Sequence, residues 1–332
     1  MVSHRATEES PHESLNIYHY PNAPSFGIFI FHMNVLRTII WFIQYLFVRL
    51  AVLLYGLIPA SKAYALGFGL GASAYPLFRK RRRIAVDNIL QAKITDDPKE
   101  ADRIARHSFG HFAGHICESM KVPLVVTAEN WREHIVLEGD KADGWDLLME
   151  QTDTPMMLLT GHHGAWEAAV TVIPFTRPMV TIARTPNNPI VERFLKTKHF
   201  RGNITVIPKS QGFTPGVIRD WLERKAALTI VMDQHAGAKH GVKVDFLGRP
   251  AYTHTSPARI HLATGAPIVV GSFLRDGLFK YRMVAEAPIR FTPTGDKDKD
   301  IEALLTEMNL RLGNLVRRCP EQYLWSHKRW RT

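Results

Sequence analysis

The segment His162–Glu167 combines an imidazole with a carboxylate, a pairing that can carry out acid–base chemistry. A histidine can accept a proton from a hydroxyl, and a nearby carboxylate orients its ring and stabilises its charged form. His162 precedes Glu167 by five residues and His163 precedes it by four, so both histidines are candidate bases. The four-residue spacing faces better on a helix, whereas a histidine placed before the helix could be reached by Glu167 from the second turn. The pattern predicts proton abstraction from a hydroxyl.

The flanking residues indicate where this pair lies in the fold. The apolar run Met156–Thr160 is typical of a buried strand, and Ala168–Val170 is typical of the start of a helix. We therefore expect a strand-to-helix turn, where backbone N–H groups are free and the helix dipole favours negative charge. Gly161 and Gly164 flank the two histidines and indicate that something approaches the backbone closely.

Beyond residue 150, strand-like and helix-like segments alternate along the chain. Alternation of this kind predicts an α/β fold with a mixed, mostly parallel sheet covered by helices. The further predicted strands are Met179–Ala183, Ile204–Ile207, Ala226–Met232, Pro267–Phe273 and Lys280–Ala285. The further predicted helices are Pro189–Phe200, Gln211–Arg224, Pro257–Ala263 and Asp300–Arg318. Three regions follow: a mobile tail over 1–25, a membrane-associated helical segment over 26–78, and one α/β domain over 79–332.

The segment 26–78 is strongly apolar and aromatic, but Arg37 and Arg49 interrupt it. The uncharged stretches on either side of Arg49 are each shorter than the roughly 20 residues that a spanning helix needs. Two membrane placements compete: a helix that spans with an arginine reaching an interface, and an amphipathic helix that lies in the interface. A buried helix of ordinary type is the third interpretation.

The chain is strongly basic, with a net charge of +11 over 332 residues. Such a charge indicates a polyanionic partner: nucleic acid, an anionic membrane surface or a phosphorylated substrate. The basic run Arg79–Arg83 directly follows the apolar segment, which favours anionic headgroups and a cytoplasmic position for the bulk of the chain. No RNP, zinc-finger or helix-turn-helix signature accompanies the charge, so nucleic acid is not the expected partner.

A helix is also predicted over Asp96–Ser119, since Asp97 and Pro98 form a typical start. One face of this helix carries four residues that could ligate a metal or face a phosphate-rich surface: His107, His111, His115 and Glu118.

Several motifs together resemble one enzyme family. The string Thr160–Glu167 resembles the H-x4-(D/E) signature of lysophospholipid-type acyltransferases, and more specifically of the bacterial lipid A biosynthesis lauroyl/myristoyl acyltransferases and their phosphatidylinositol mannoside relatives. Further stretches are similar in the same order: Ala183–Pro189, Val206–Lys209, Met232–Gln234, Asp245–Thr253, Ser256–Ala258, Thr264–Pro267 and Trp325–Trp330. The resemblance covers nearly the whole chain after residue 26.

The resemblance implies a glycerol-phosphate-acyltransferase-like fold on the cytoplasmic side of a bacterial inner membrane. It implies transfer of a fatty acyl chain from an acyl carrier protein or coenzyme A thioester to a hydroxyl of an anionic glycolipid, such as a lipid A precursor, or of a phospholipid. No cofactor or metal is implied. By position, His162 is the general base and Glu167 orients it. The implied substrate-site residues are Arg184, Asn188, Lys209, Asp233 and Arg249.

Within that set, Asp233 is interpreted either as a partner of the histidine or as a cap at a strand end. His163 departs from the family pattern, which has an aromatic or apolar residue at this position. Three alternatives stay open: acylation of a different acceptor such as a phosphoglycolipid, a non-catalytic protein that binds anionic membranes, and a metal-dependent hydrolase. The hydrolase would use four residues: His162, His163, Asp233 and His235.

Overall fold

A computed structural model describes residues 35–138, 144–184, 186–199 and 203–331. The predicted mobile tail over 1–25 lies outside the described residues. The α-helices are α1 (Val35–Gly56), α2 (Ala60–Ala74), α3 (Arg79–Gln91), α4 (Pro98–Ser119), α5 (Val122–Val125), α6 (Trp131–His134), α7 (Trp166–Val172), α8 (Pro189–His199), α9 (Pro215–Glu223), α10 (Ser256–Thr264) and α11 (Lys297–Arg318). The strands are β1 (Ile135–Glu138), β2 (Met156–Thr160), β3 (Met179–Ala183), β4 (Ile204–Pro208), β5 (Ala227–Val231), β6 (Gly241–Phe246), β7 (Arg249–His254), β8 (Ile268–Gly277) and β9 (Lys280–Ala285).

Within the described residues, seven strands form one sheet in the order β1-β9-β8-β2-β5-β3-β4. All neighbouring strands in it are parallel except β8 and β9, which form an antiparallel pair. This mixed, mostly parallel sheet with helices on both faces confirms the fold class predicted from the alternation of elements.

Strand β2 lies in the middle of the sheet and is buried along its whole length. Its side chains alternate between two hydrophobic cores: Met157 and Leu159 contribute to one, and Met156 and Leu158 to the other. A strand covered on both faces must be apolar throughout, which is why the run before His162 carries no polar residue until Thr160.

Strands β6 and β7 form a separate antiparallel hairpin. The turn of this hairpin lies at Leu247 and Gly248, and Arg249 already begins β7. Both turn residues have positive φ, +57° and +82°, as the tight turn of a right-twisted hairpin requires.

The described part of the predicted membrane-associated segment, residues 35–78, contains the two α-helices α1 and α2. Helix α1 is 22 residues long, and its residues Arg37–Gly56 are long and apolar enough to cross a membrane by length and composition. Both arginines lie over aromatic rings of the same helix: the Arg37 guanidinium is 4.5 Å from the Trp41 ring centre and that of Arg49 is 5.8 Å from Tyr45. Arg49 is thus directed toward the middle of α1 rather than toward its nearer end.

Helix α2 packs against α4 through glycines on both helices. A Cβ atom at Gly71 would lie 2.5 Å from the Phe109 carbonyl oxygen, and one at Gly67 would lie 2.6 Å from that of Ala113. On α4, a Cβ at Gly114 would lie 2.9 Å from the Tyr64 carbonyl oxygen. The two backbones therefore approach closely because side chains are absent at these positions.

Gly71→Ala is expected to lower the stability of the protein by about 1–3 kcal/mol, because the added methyl group must push α2 away from α4. The matched control is Gly69→Ala on the same helix, where a Cβ meets nothing within 4 Å. That change should be neutral or stabilising by up to about 1 kcal/mol, since alanine favours the helix. Thermal unfolding of both purified variants in one detergent measures the difference, and equal melting temperatures would contradict the close packing.

Candidate active site

The sheet brings four predicted site residues to one edge. Strands β2, β5, β3 and β4 are neighbours and parallel, so their carboxyl ends lie together. The residues that follow these ends are His162, Asp233, Arg184 and Lys209, respectively. Ligand sites of open α/β sheets are found outside the carboxyl ends of the strands.

His162 is held by two hydrogen bonds to one carboxylate. Its ring Nδ1 lies 2.8 Å from Asp233 Oδ1, and its backbone N–H donates to Asp233 Oδ2 over 3.0 Å. The Asp233 side chain is only 4% exposed, whereas that of His162 is 21% exposed. Because the carboxylate accepts from Nδ1, that nitrogen carries the proton and Nε2 keeps its lone pair. Nε2 lies 3.3 Å from the Gln234 side-chain amide on the partly exposed side of the ring.

The carboxylate that orients the ring is therefore that of Asp233, and this corrects the expected pairing with Glu167. Glu167 lies in the first turn of α7 and raises the pKa of His162 through its charge alone. The assignment of Asp233 to substrate contact is corrected as well, because Asp233 is buried and both of its carboxylate oxygens are hydrogen-bonded to His162.

Opposing effects set the pKa of His162. Burial lowers it, but the charge of Asp233, the hydrogen bond to Asp233 and the charge of Glu167 outweigh burial, so the pKa lies above the usual value for histidine. Burial raises the pKa of Glu167, and a hydrogen bond from Trp166 and the charge of His162 offset part of that effect. A histidine tuned in this way is a stronger base than one in water.

Asp233 stays ionised although it is buried. Burial raises its pKa, but His162 and the charge of Arg329 lower it to about 2. Tyr323, which is fully enclosed, hydrogen-bonds to the same carboxylate. Arg329 is 1% exposed and donates to the Tyr252 carbonyl oxygen and to Thr253 Oγ1. The C-terminal segment thus supplies the positive charge that compensates the buried aspartate.

His163 points away from the site. It is completely buried, its Nδ1 lies 3.0 Å from Ser272 Oγ, and its Nε2 lies 3.0 Å from the Cys319 carbonyl oxygen. Burial lowers its pKa to about 4, so the ring is neutral. Of the two histidines that the spacing left open, His162 has the partly exposed side chain, 21% against none for His163.

The expectation of free backbone N–H groups in the turn is wrong for three of its residues. The N–H of His162 donates to Asp233, that of Gly164 to the Gln322 carbonyl oxygen, and that of Ala165 to the Phe273 carbonyl oxygen. The close approach predicted at the glycines is made at Gly164 by the protein itself. Gly164 has φ +69°, and a Cβ there would lie 2.0 Å from the Phe273 carbonyl oxygen, so protein backbone is what approaches closely.

The remaining predicted substrate residues differ in how free they are. Arg184 and Lys209 are exposed at the sheet edge. Arg249 is half-buried, with its guanidinium 5.0 Å from the Trp330 ring centre. Asn188 is buried, and its amide donates to the Trp41 carbonyl oxygen and to Gln44 of α1.

The Asn188 carbonyl oxygen accepts from the backbone N–H groups of Ile190 and Val191 at the start of α8. Both hydrogens and both lone pairs of the amide are therefore in use. This corrects its assignment to substrate contact: Asn188 caps α8 and fastens it to α1.

Several residues around His162 were not singled out from the sequence. Gln234 Nε2 lies 3.3 Å from His162 Nε2, and the Trp166 ring centre lies 5.2 Å from that of His162. His327 accepts from the His235 backbone N–H over 3.2 Å, and burial lowers its pKa to about 4. The stretch Trp325–Trp330 was predicted to be functional only through the family resemblance. The residue types that could have indicated it are the basic Lys328 and Arg329 between two tryptophans.

The histidine face of α4 is buried under the turn rather than turned to a membrane. His111 Nε2 lies 3.2 Å from the Gly164 carbonyl oxygen, and its Nδ1 lies 3.1 Å from the Tyr64 hydroxyl. The His115 ring centre lies 4.2 Å from that of Trp166. Glu118 forms a bidentate ion pair with Arg275 at 2.9 and 3.0 Å.

Three of the four side chains, those of His111, His115 and Glu118, therefore pack inside the protein rather than facing a phosphate-rich surface. The residues that the structure describes contain no group of three His, Cys, Asp or Glu side chains able to hold a metal ion. The proposed hydrolase cluster is divided as well, because both ring nitrogens of His163 are bonded to protein atoms.

A family model for bacterial lipid A biosynthesis acyltransferases matches residues 28–332 of this chain. The chain belongs to that family. It is 24% identical over 273 residues to a lipid A biosynthesis palmitoleoyltransferase of Escherichia coli K12, covering 80% of this chain and 84% of the relative. A lipid A biosynthesis acyltransferase of Shigella flexneri is similar to the same extent. The protein is thus an acyltransferase, as the motifs predicted.

Asp233→Asn is expected to lower the pKa of His162 in this acyltransferase, because the substitution removes the negative charge that stabilises the protonated ring. Nitrogen-detected NMR titration of labelled histidines measures it. The matched control is Asp220→Asn, whose exposed carboxylate pairs with Arg224, and it should leave His162 unchanged. An unaltered His162 titration in the Asp233 variant would contradict the pairing.

The acyltransferase is also expected to lose stability as the pH falls from about 6.5 toward 4. Burial lowers the pKa of His111 to about 3 and those of His163 and His327 to about 4, so the unfolded chain binds more protons in that window. His162 acts oppositely, because its raised pKa contributes stability that is lost as the pH rises through it.

Melting temperature against pH measures this dependence. His163→Gln should flatten the slope and the exposed-site control His240→Gln should not. A melting temperature that stays constant between these pH values would refute the assignment.

Proposed function

We propose that this acyltransferase moves a fatty acyl chain from a thioester donor to a hydroxyl of a glycolipid of the lipid A type. The observation that carries the proposal is the His162–Asp233 pair: a buried carboxylate on Nδ1 and a lone pair on Nε2 of a partly exposed ring. The pairing suits removal of a proton from an alcohol, and no covalent enzyme intermediate is needed when the acyl group is already activated as a thioester.

In the proposed reaction, His162 Nε2 takes the proton of the acceptor hydroxyl while that oxygen attacks the thioester carbonyl carbon. The resulting tetrahedral oxyanion collapses, the carbon–sulfur bond breaks, and the imidazolium returns its proton to the leaving thiolate. Asp233 holds the proton of the neutral ring on Nδ1, which leaves Nε2 as the base, and it stabilises the ring once it is charged. Glu167 adds a second negative charge close to the same ring.

The oxyanion needs a positive or hydrogen-bonding group, and three backbone donors of the turn are already used. Arg184, exposed directly after β3, is the proposed contact for the oxyanion or for a substrate phosphate. Its planar guanidinium suits paired oxygen atoms. Lys209 and Arg249 are proposed to bind further phosphate groups of an anionic acceptor or donor.

We further propose that the enzyme works at a membrane, on the cytoplasmic side of a bacterial inner membrane. The apolar residues of helix α1 are exposed along its length, which supports this location. Asn188 and Gln44 fasten the middle of α1 to the segment that follows Arg184. Lipid bound by α1 therefore lies close to the sheet edge that carries the site, in either placement of the helix.

His162→Ala is expected to lower the rate of acyl transfer by about 10²–10⁴-fold, the contribution typical of a general base. Asp233→Asn should lower it less, because the base remains but loses its orientation. Mass spectrometry of the lipid product is the measurement, with a lipid A precursor in vesicles as acceptor and acyl carrier protein or coenzyme A thioesters compared as donors. His240→Ala, on an exposed loop residue, is the control and should keep full activity.

The other functions give different outcomes in the same assay. A metal-dependent hydrolase would release free fatty acid and stop in a chelator, whereas the proposed transfer continues there. A protein that only binds membranes would bind vesicles and acylate no lipid acceptor. Product formed equally well by His162→Ala would refute the proposed mechanism, and transfer to phosphoglycolipids alone would refute the acceptor.

A further inference from the structure

Helix α2 exposes an apolar face that the reaction does not use. No charged residue occurs between Ala63 and Phe78. Leu66 and Leu70 lie one helical turn apart and are 45% and 62% exposed, and Leu77, just beyond the helix, is 81% exposed. Leu66 and Leu70 share one side of α2 because they are four residues apart.

Another side of α2 packs against the rest of the protein. Ala63 and Gly67 are buried there, and Gly67 and Gly71 lie directly against the backbone of α4. The helix is therefore fixed in orientation, and its leucines cannot turn inward without breaking that contact. Exposed leucines that cannot turn inward are typical of a binding surface.

Basic residues border the apolar face at one end. All five residues of Arg79–Arg83 are exposed at the start of α3. Arg82 pairs there with Asp102 over 2.9 Å, and Arg81 donates to the Ser326 carbonyl oxygen over 3.0 Å. Cations are unfavourable at a helix N-terminus, where the dipole is positive, so this arrangement costs stability in isolation. An anionic partner would relieve both the dipole and the mutual repulsion. Phe78, which is 54% exposed, lies between Leu77 and Arg79 in the sequence.

The apolar face is also continuous along the chain with α1. Only Leu57, Ile58 and Pro59 separate the two helices, and Leu57 is 75% exposed. The end of α1 is tied to the domain, since Lys121 Nζ donates to the Gly56 carbonyl oxygen over 3.3 Å. Three exposed features thus follow one another along the chain: the apolar helix α1, the apolar face of α2 and the basic residues at the start of α3.

We propose that α2 lies flat in the membrane interface, with Leu66, Leu70 and Leu77 in the acyl region and Arg79–Arg83 at anionic phospholipid headgroups. The proposal rests on the membrane location proposed above and adds a second attachment that is independent of α1. An apolar face bordered by arginines and lysines is the pattern of helices that bind in the plane of a bilayer.

The experiment uses the full chain with Cys117 and Cys319 replaced by alanine and a single cysteine carrying an environment-sensitive fluorophore. The labelled positions are Leu70 on α2, Leu50 on α1 and Leu310 on α11; all three are exposed leucines within helices. The proteins are reconstituted into vesicles of phosphatidylethanolamine with phosphatidylglycerol, with and without spin-labelled acyl chains as quencher. We expect loss of fluorescence at positions 70 and 50 and none at position 310.

The outcomes separate this proposal from the membrane location itself. Quenching at position 50 without quenching at position 70 overturns the proposal for α2 and leaves the membrane location standing. No quenching at either position overturns both. A label at position 70 that is shielded from water in detergent and in vesicles but is not quenched shows cover by a second copy or by residues 1–34, which also overturns it. Activity is not needed for any of these measurements.

Replacing phosphatidylglycerol by phosphatidylcholine tests the basic residues. We expect quenching at position 70 to decrease while quenching at position 50 is unchanged, because only α2 is followed by the cationic turn. Equal quenching in both lipids would overturn the assignment of Arg79–Arg83 to anionic headgroups.

Discussion

The buried carboxylate of Asp233 is the interaction on which the site depends. It sits at the end of β5 and binds both the backbone and the ring of His162 at the end of the neighbouring strand. A charge at this depth is tolerated only with compensation, which His162 provides first and the charge of Arg329 in the C-terminal segment increases. The C-terminal segment therefore contributes to the electrostatics of the site.

Much of the fold was predictable because burial on both faces leaves a strong signal. Strands β2, β3 and β9 begin and end at the predicted residues, and β4 differs by one residue at one end and β5 by one at each end, whereas β8 continues four residues beyond its predicted end at Phe273. The strand β1 and the β6–β7 hairpin were not predicted, since short or half-exposed strands lack a continuous apolar run. The pairing of His162 with Asp233 was only one of two alternatives, because its partners are 71 residues apart and spacing along the chain carries no information about them.

Helical periodicity identified which residues share a face but not what the face meets. His111, His115 and Glu118 do share one side of α4, yet that side packs under the turn that carries His162. The two glycines beside the histidines were correctly interpreted as a sign of close approach: the Phe273 carbonyl oxygen occupies the space at Gly164, and a Cβ at Gly161 would lie 3.3 Å from the Asp233 side chain. His163 is accommodated by contacts of its ring nitrogens with Ser272 and with the Cys319 carbonyl oxygen.

The hydrogen bonds from Tyr64 to His111 and from His111 to the Gly164 carbonyl oxygen join α2 to the turn beside His162. A soluble version of the enzyme, made by deleting the apolar N-terminal helices, would lose Tyr64, the hydrogen-bond partner of His111. The glycine-lined surface of α4 would then be exposed. The helices that are usually removed to ease purification are therefore part of the scaffold of the site. Inhibitor screening against such a shortened protein would address a turn that lacks one of its supports.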